Sequence, residues 1–374
     1  MQAASSSSWT PPLRFISWNI LGDSLLRQNA YLYRRCHPQA LQHGQRIRRV
    51  VDGIARLNGD VLALQEVENF DRDILRPLSA MGLTGIFKKR TGDQLDGVAL
   101  MWRTNRLQLL RHEMVEYASS LTKGVVSPIL RDQFLRHNVG ICALFLDLAT
   151  GRQFVVATTH ILWNPRRGLV KLRQIEHLMA RADAMRASAC ADVQKQPQQL
   201  NMPPQGSPPS QSAPPAVLLG DFNCMPGSLL HSFLLGRTLS APLGTERHWD
   251  GQEAAQKAMR KSDGGKGGGG GGKRENDGHA FRDQGASDAD HIQARHALSG
   301  ALQSAYGHVG EPECTSFHGG FAGTVDYILF GHEAFAVRTV LPTPTLGDLI
   351  ARRSLPDFGV PSDHVPIACD LAWK

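Results

Sequence analysis

The sequence predicts an α/β fold built as a four-layered sandwich, two packed mixed β-sheets with helices on the outside. Three observations carry this. Short apolar runs of strand length recur along the 374 residues, two longer segments carry an apolar stripe of helical period, and the two kinds of element follow one another in mixed order.

The strand-like runs are Phe15–Ile20, Val61–Leu64, Gly97–Trp102, Gly140–Leu148, Phe154–Thr159, Ala216–Leu219, Val325–Phe330 and Val365–Leu371. Each is short, apolar and rich in β-branched or aromatic residues, as expected of a buried strand. In the first helix Ile47, Val50, Val51, Ile54 and Leu57 share a face, with Arg46, Arg48, Arg49 and Arg56 placed elsewhere. In the second, Leu172, Ile175, Leu178, Met179, Ala182 and Met185 form the stripe.

Two stretches read as unstructured insertions. One covers about residues 194–215 and is rich in Gln, Pro and Ser. The other covers about 240–300 and holds the unbroken glycine run Gly267–Gly272. Glycine at that density cannot offset its backbone entropy by packing, and a loop tolerates added length at small cost. With residues 1–12 as a disordered N-terminal segment, the expectation is a single domain over residues 13–373.

Composition narrows the function class. The hydrophobic fraction of 41% suffices for a large core, and no apolar run is long enough to cross a membrane. The Ser-rich start has no apolar core of a secretory signal. Cys36, Cys142, Cys190, Cys224, Cys314 and Cys369 are scattered and form no Cys-x-x-Cys pair, which argues against a zinc site and for reduced thiols in a cytoplasmic protein. The net charge is +7, and the 240–300 stretch contributes none of it. Basic clusters at Arg46, Arg48 and Arg49, at Lys88, Lys89 and Arg90, and at Arg166, Arg167, Lys171 and Arg173 suit a polyanion. Each could equally be a solvated face.

The apolar runs share a device. Phe15–Trp18 delivers Asn19, Val61–Leu64 delivers Gln65 and Glu66, and Phe154–Thr159 delivers His160. Val217–Gly220 delivers Asp221 and Asn223. Asp326 lies between Val325 and Tyr327, and Ser362-Asp363-His364 precedes Val365. One carboxylate at a strand end is usually a turn residue. Six polar groups so placed point to a cleft held by a rigid scaffold. Their oxygen-rich chemistry favours Mg²⁺, with Mn²⁺ possible, over zinc.

In this order, Trp18-Asn19, Leu64-Gln65-Glu66-Val67, Thr159-His160, Gly220-Asp221-Phe222-Asn223, Val325-Asp326-Tyr327 and Ser362-Asp363-His364 resemble the endonuclease/exonuclease/phosphatase superfamily. Tyr31–Cys36, Arg90-Thr91-Gly92, Asp96–Ala99 and Asn164–Gly168 with Lys171-Leu172 are similar to the Angel homologues, relatives of the deadenylases and nocturnin. Leu169 departs from the acidic residue those chains often carry there. The resemblance implies a DNase-like sandwich. It implies Glu66 as the principal metal ligand, with Asn19 beside it and Asp363 assisting. Asp221 would orient or deprotonate the attacking water, Asn223 would donate to a phosphoryl oxygen, and His364 with Asp326 would form a carboxylate–histidine pair. His160 would hold the phosphate.

Arg166, Arg167 and Lys171 are candidates for an RNA backbone or terminal phosphate, or for an exposed helix start. Trp163 and Phe317 are candidate base platforms, with core packing as the other role. The function so implied is metal-dependent hydrolysis at RNA 3′ ends by a monomer, by default a 3′–5′ exoribonuclease. The alternatives are an RNA 2′,3′-cyclic phosphatase, a small-molecule phosphatase and a non-catalytic RNA- or partner-binding module. No leucine-rich segment precedes residue 13, so docking onto a larger complex is not expected.

Overall fold

The computed structural model describes residues 10–195, 213–253, 256, 291–295, 298 and 302–374. The expected N-terminal segment up to residue 9, and the interior of both expected insertions, lie outside the described residues.

The first six-stranded sheet contains β1 (Leu13–Asn19), β2 (Val61–Val67), β3 (Leu83–Lys89), β4 (Gly97–Arg103), β15 (Phe335–Val340) and β16 (Ile367–Trp373). The second contains β5 (Leu107–Glu116), β6 (Val139–Asp147), β7 (Gln153–His160), β8 (Ala216–Asp221), β11 (Leu302–Ser304) and β14 (Asp326–Gly331). Their orders are β15-β16-β1-β2-β4-β3 and β11-β14-β8-β7-β6-β5. Both are mixed: β1 runs parallel to β2, and β7 runs parallel to β8, while their other neighbours are antiparallel.

Strand alternation assembles the layers. Leu13 and Phe15 face the second sheet and pack in one core with Ile141, Phe145, Phe154, Val217, Leu219 and Ile328. Ile16 and Trp18 face the other way, against Val50, Val51 and Ile54 of the His43–Leu57 helix. On the far side, Cys142, Leu144, Val155 and Leu218 meet Leu172, Ile175, Leu178, Met179 and Ala182 of the Gly168–Lys195 helix. Strands buried on both faces read as continuous apolar runs, which is why the central strands were visible in the sequence.

The sequence pattern did not reveal the four edge strands. Among the described residues, β3, β15, β5 and β11 each have a single neighbour in their sheet. β5 alternates buried and exposed residues, and β3 ends in Lys88-Lys89. A half-solvated strand with charged residues loses the apolar signal and also guards the edge. The expected Val365–Leu371 strand is shifted to β16, because Pro366 has no N–H for a ladder.

The expectation of an unstructured stretch from about 240 to 300 is corrected at its flanks. β9 (Leu239–Pro242) pairs antiparallel with β10 (His291–Ala294), and Trp249, Asp250 and Gln252 are buried. Apolar Leu239, Ala241 and Trp249 join the core under the second sheet, which anchors this segment despite its polar, glycine-rich surroundings.

Phe154 sits where the two sheets meet, with its ring centroid about 6 Å from those of Phe15, Phe145, Phe335 and Trp373. Phe154→Ala removes a side chain from that junction. The expected loss is about 3–5 kcal/mol of unfolding free energy, read from the urea midpoint.

Candidate active site

Strand register brings three of the expected residues level with one another. His160 at the end of β7 is paired with Asp221 at the end of β8, and Asp221 is paired with Asp326 at the start of β14. Residues directly opposite across a ladder point to the same face. Gly220 permits this: a Cβ there would lie 2.2 Å from the Thr159 carbonyl oxygen, and its φ is +153°. On the first sheet Asn19 is paired with Gln65, and Glu66 follows in a bulge where the β2–β4 register shifts. Glu66 has φ +55° and Asn223 φ +46°. A bulge re-aims a side chain, and left-handed backbone at non-glycine residues persists only where surrounding contacts enforce it.

Hydrogen bonds join the two sheets across the cleft. The Asn19 amide nitrogen donates to Glu66 Oε1 at 2.9 Å and to Asp221 Oδ2 at 3.2 Å. Its oxygen accepts from the Leu21 N–H, and Glu66 Oε2 accepts from the Gly22 N–H. Asp221 Oδ1 accepts from the Asn223 N–H at 3.0 Å. Asp221 Oδ2 lies 3.5 Å from His160 Nε2 and 3.9 Å from His364 Nε2. His364 Nδ1 meets Asp326 Oδ2 at 2.8 Å. Ser362 donates its hydroxyl to the Asn19 carbonyl, and Trp18 Nε1 donates to the His364 carbonyl, so the Ser362–His364 turn is fastened to β1. The Tyr33 hydroxyl donates to Asp363 Oδ2 at 2.8 Å.

These contacts set the charge states. Burial raises Asp221, the nearby Asp326 carboxylate raises it further, and it comes to about 7. Burial works against a charged His364, but the carboxylates of Asp326, Asp221 and Asp363 together outweigh it and lift the imidazole to about 10. His160 moves the other way: burial, then the positive charge of Arg90, holds it well below the usual histidine range. The site therefore combines a cationic imidazole, a neutral imidazole and a carboxylate poised near neutrality.

The donor chemistry fits a hard divalent ion. Glu66 keeps some solvent contact, yet the protein around it, with the Asp363 and Asp96 charges, raises it to about 8. A carboxyl raised by burial and by neighbouring carboxylates gains from a cation placed beside it. Asp326 Oδ1 is buried without a hydrogen-bond partner among the described residues. Asp221, Asp326 and His364 also bring ligand-type atoms within 4.8 Å of one another. His364 is the weak member there, since a protonated imidazole cannot ligate. Glu66, whose carboxyl feels the Asp363 charge, offers oxygen donors instead, and Asn19 turns its amide nitrogen toward Glu66.

Other expected residues lie elsewhere. Lys171, read as a phosphate contact, is fully buried and bonded to Asp250 and to the Trp163 and Asn223 carbonyls. It cannot reach RNA. Arg46, assigned to a basic face, is also fully buried, and its NH1 donates to the Ile20 and Pro361 carbonyls. It thus clamps the turns that follow Asn19 and precede Asp363. Both corrections were readable as spacing: Arg46 lies at i, i+4, i+8 with Val50 and Ile54, and Lys171 at i, i+4, i+7 with Ile175 and Leu178. Arg166 is exposed and Arg167 partly so, on the loop that follows His160. Trp163 on the same loop is 60% exposed, whereas Phe317 packs with Leu355 and Val365. The contributions of Tyr33 and Ser362 to the site were missed, because a lone hydroxyl in a turn carries no spacing signal.

Two packed sheets place a polar cleft of carboxylates, imidazoles and amides at their strand ends, and similarity to known proteins makes this the fold and site of a hydrolytic enzyme. Residues 16–364 match the model of the Endonuclease/Exonuclease/phosphatase family, and the chain belongs to it. Protein angel homolog 2 of Danio rerio is 31% identical over 345 residues, 86% of this chain and 54% of that protein. Carbon catabolite repressor protein 4 homolog 3 of Arabidopsis thaliana is 27% identical, covering 96% of this chain and 75% of that one. The mouse (Mus musculus) 2′,5′-phosphodiesterase 12 is 24% identical over 97% of this chain and 52% of its own. Among solved structures, ANGEL2, a 2′,3′-cyclic phosphatase in complex with adenosine-2′,3′-vanadate, superposes with a TM-score of 0.72 at 27% identity, covering 96% of this chain and 95% of that chain. The human nocturnin catalytic domain shares the fold, with a TM-score of 0.54 at 19% identity.

In metal-free protein the His364 imidazole is expected to stay charged through neutral pH. Asp326→Asn withdraws the carboxylate that favours the charged form, so the titration should move down toward the ordinary histidine range. Histidine ring nitrogen NMR across a pH series checks both statements.

Proposed function

We propose that the chain opens the 2′,3′-cyclic phosphate at the 3′ end of RNA, with Mg²⁺ or Mn²⁺ held at Glu66 and Asp363. The observation that carries this reading is the geometry around Asp221. Its Oδ2 lies 3.5 Å from His160 Nε2 and 3.9 Å from His364 Nε2, its Oδ1 accepts from the Asn223 N–H, and His364 is held from behind by Asp326. The likeness to the cyclic phosphatase ANGEL2 over nearly the whole of both chains supports the cyclic ester in preference to a linear one.

In this reading Asp221 takes a proton from the attacking water, since a general base works best with a pKa near the working pH. The Asn223 N–H and the Asn19 amide hold its two oxygens, so the carboxylate cannot turn away. His364, oriented by Asp326, presents Nε2–H to a phosphoryl oxygen. Asn223 donates a second hydrogen bond from its amide, and His160 contacts the same phosphate. Water attack forms one P–O bond and breaks one bond to a ribose oxygen, which leaves in line and is protonated from solvent. The ion, when bound, offsets charge on the phosphoryl oxygens. Arg166 and Arg167 lie on the loop after His160, where a cationic patch would meet the RNA backbone.

A second reading, cleavage of a linear diester, is favoured by the similarity to 2′,5′-phosphodiesterase 12. Three substrates separate the readings: oligoribonucleotides ending in 2′,3′-cyclic phosphate or 3′-OH, and a 2′,5′-linked oligoadenylate. The cyclic end should be opened with Mg²⁺ or Mn²⁺, and EDTA should stop the reaction. Glu66→Ala should lower turnover at least about a hundredfold. Shortening of a linear substrate with the cyclic end untouched would establish the second reading, and inertness to all three would sink both.

A further inference from the structure

The Lys171 ammonium is completely enclosed and touches three separate parts of the chain. It donates to the Asn223 carbonyl at 2.8 Å, to the Trp163 carbonyl at 3.2 Å, and to the Asp250 carboxylate. Asp250 belongs to a buried segment that leads into the glycine-rich stretch. Its carbonyl accepts from the Met225 N–H at 2.7 Å, and the Trp249 carbonyl accepts from the Leu230 N–H at 3.0 Å. Gln252 completes the arrangement. Its amide nitrogen donates to the Asn223 carbonyl and lies 3.4 Å from Asn223 Oδ1. The start of the Lys171 helix is pressed onto the same segment, because a Cβ on Gly168 would lie 2.3 Å from the Glu246 carbonyl oxygen.

Lys171 and Gln252 both donate to the carbonyl of Asn223, a residue with left-handed backbone, and the other bonds hold Lys171, Asp250 and their segment in place. Asn223 Nδ2 already donates one hydrogen to the Ile161 carbonyl, which leaves one for a substrate. Gln252, by donating to Oδ1, opposes a flip of the Asn223 amide that would turn an oxygen toward the phosphate. Two donors on the Asn223 carbonyl hold the peptide in its unfavourable region, where a non-glycine residue persists only if its surroundings enforce it.

We propose that Lys171, Asp250 and Gln252 form a positioning unit for Asn223, so that the segment leading into the glycine-rich stretch is built into the catalytic site. The inference rests on the reading of Asn223 as a donor to the phosphoryl group. None of the three touches the reacting atoms. They act by fixing which face of the Asn223 amide meets the substrate. The same lysine braces the Trp163 carbonyl, so the loop that follows His160 is tied to the same point.

The test uses the full chain and the substrate on which it is found to be active. Gln252→Leu removes both donations without leaving a charge unpaired, and Lys171→Met removes the third. Asn223→Ala is measured in parallel. The expected result for Gln252→Leu is a fall in kcat of about 10–100-fold, the range seen when an outer supporting hydrogen bond is lost. KM should stay within about twofold, and the Mg²⁺ dependence and melting temperature should stay near those of the unaltered protein. Gln252→Glu, which sets an oxygen against the Asn223 carbonyl, should be at least as impaired. A lower melting temperature with unchanged kcat in Gln252→Leu would overturn the proposal and leave the network a packing device. If Lys171→Met does not fold, the two Gln252 variants decide alone. Full activity of Asn223→Ala would instead remove the reading on which the proposal rests.

Discussion

Asp221 occupies its position because β8 is held between β7 and β14 in one register. His160, Asp221 and Asp326 are level only in that register, and a slip of one residue would turn each side chain to the opposite face of the sheet. The register is secured away from the site by the apolar faces of the same strands. Val156, Val217, Leu219 and Ile328 are packed into the inter-sheet core, and Val155, Leu218 and Leu329 under the outer helix. Both faces of these strands are buried, so a slip would exchange the side chains of two close-packed cores and misfit both. Hydrophobic burial thus acts at the cleft through geometry, as the constraint that brings three polar groups level.

The second constraint is the join between the sheets. Asn19 comes from the first sheet and Asp221 from the second, and one amide nitrogen bonds the carboxylates on both sides. The Ser362–His364 turn comes from the end of the chain and is fastened to β1 at Asn19 and Trp18. Arg46 lies beneath, with one guanidinium nitrogen bonded to the carbonyls of Ile20 and Pro361. A buried guanidinium is costly, and Arg46 Nε and NH2 have no hydrogen-bond partner among the described residues. Burial lowers its pKa, and Asp23, Asp363 and Glu66 supply the negative charge that keeps it cationic. Arg46 thus lies under the acidic side of the cleft and ties together the turns that carry Asn19 and Asp363.

How much of this was legible in the sequence follows from what each residue must satisfy. Central strands are buried on both faces, so Val217–Leu219 and Ile328–Phe330 stand out as apolar runs. Edge strands such as β5 answer partly to water and do not. The strand-end groups Asn19, Glu66, His160, Asp221, Asp326 and His364 were visible because each follows or opens a run, and their order carried the family resemblance. Lys171 and Arg46 were misread because charge was taken as a sign of exposure, although both sit at helical spacing on the apolar stripe. Asp250 and Gln252 were hidden for a different reason. They lie beside a glycine-rich stretch, and their partners are 79 and 29 residues away in the chain, so no local pattern marks them.

The buried charges also explain why the site is built from opposites. Two histidines of the same cleft are driven in opposite directions by their immediate neighbours. His364 has the Asp326 carboxylate at hydrogen-bond distance and becomes cationic, while His160 is enclosed, with Arg90 close by, and stays neutral. Asp221 lies within 4 Å of both and is the group left near neutrality. If the two imidazoles shared one environment, Asp221 would face either two cations or none. Two cations would favour its charged form and lower its pKa, leaving a weaker base. With none, burial and Asp326 would drive the pKa further up and keep the carboxyl protonated at neutral pH. Burial and Asp326 push Asp221 up, while the cationic His364, the Asn19 amide and the Asn223 N–H hold it down, so the charged state of His364 is one of the conditions that place Asp221 between those limits.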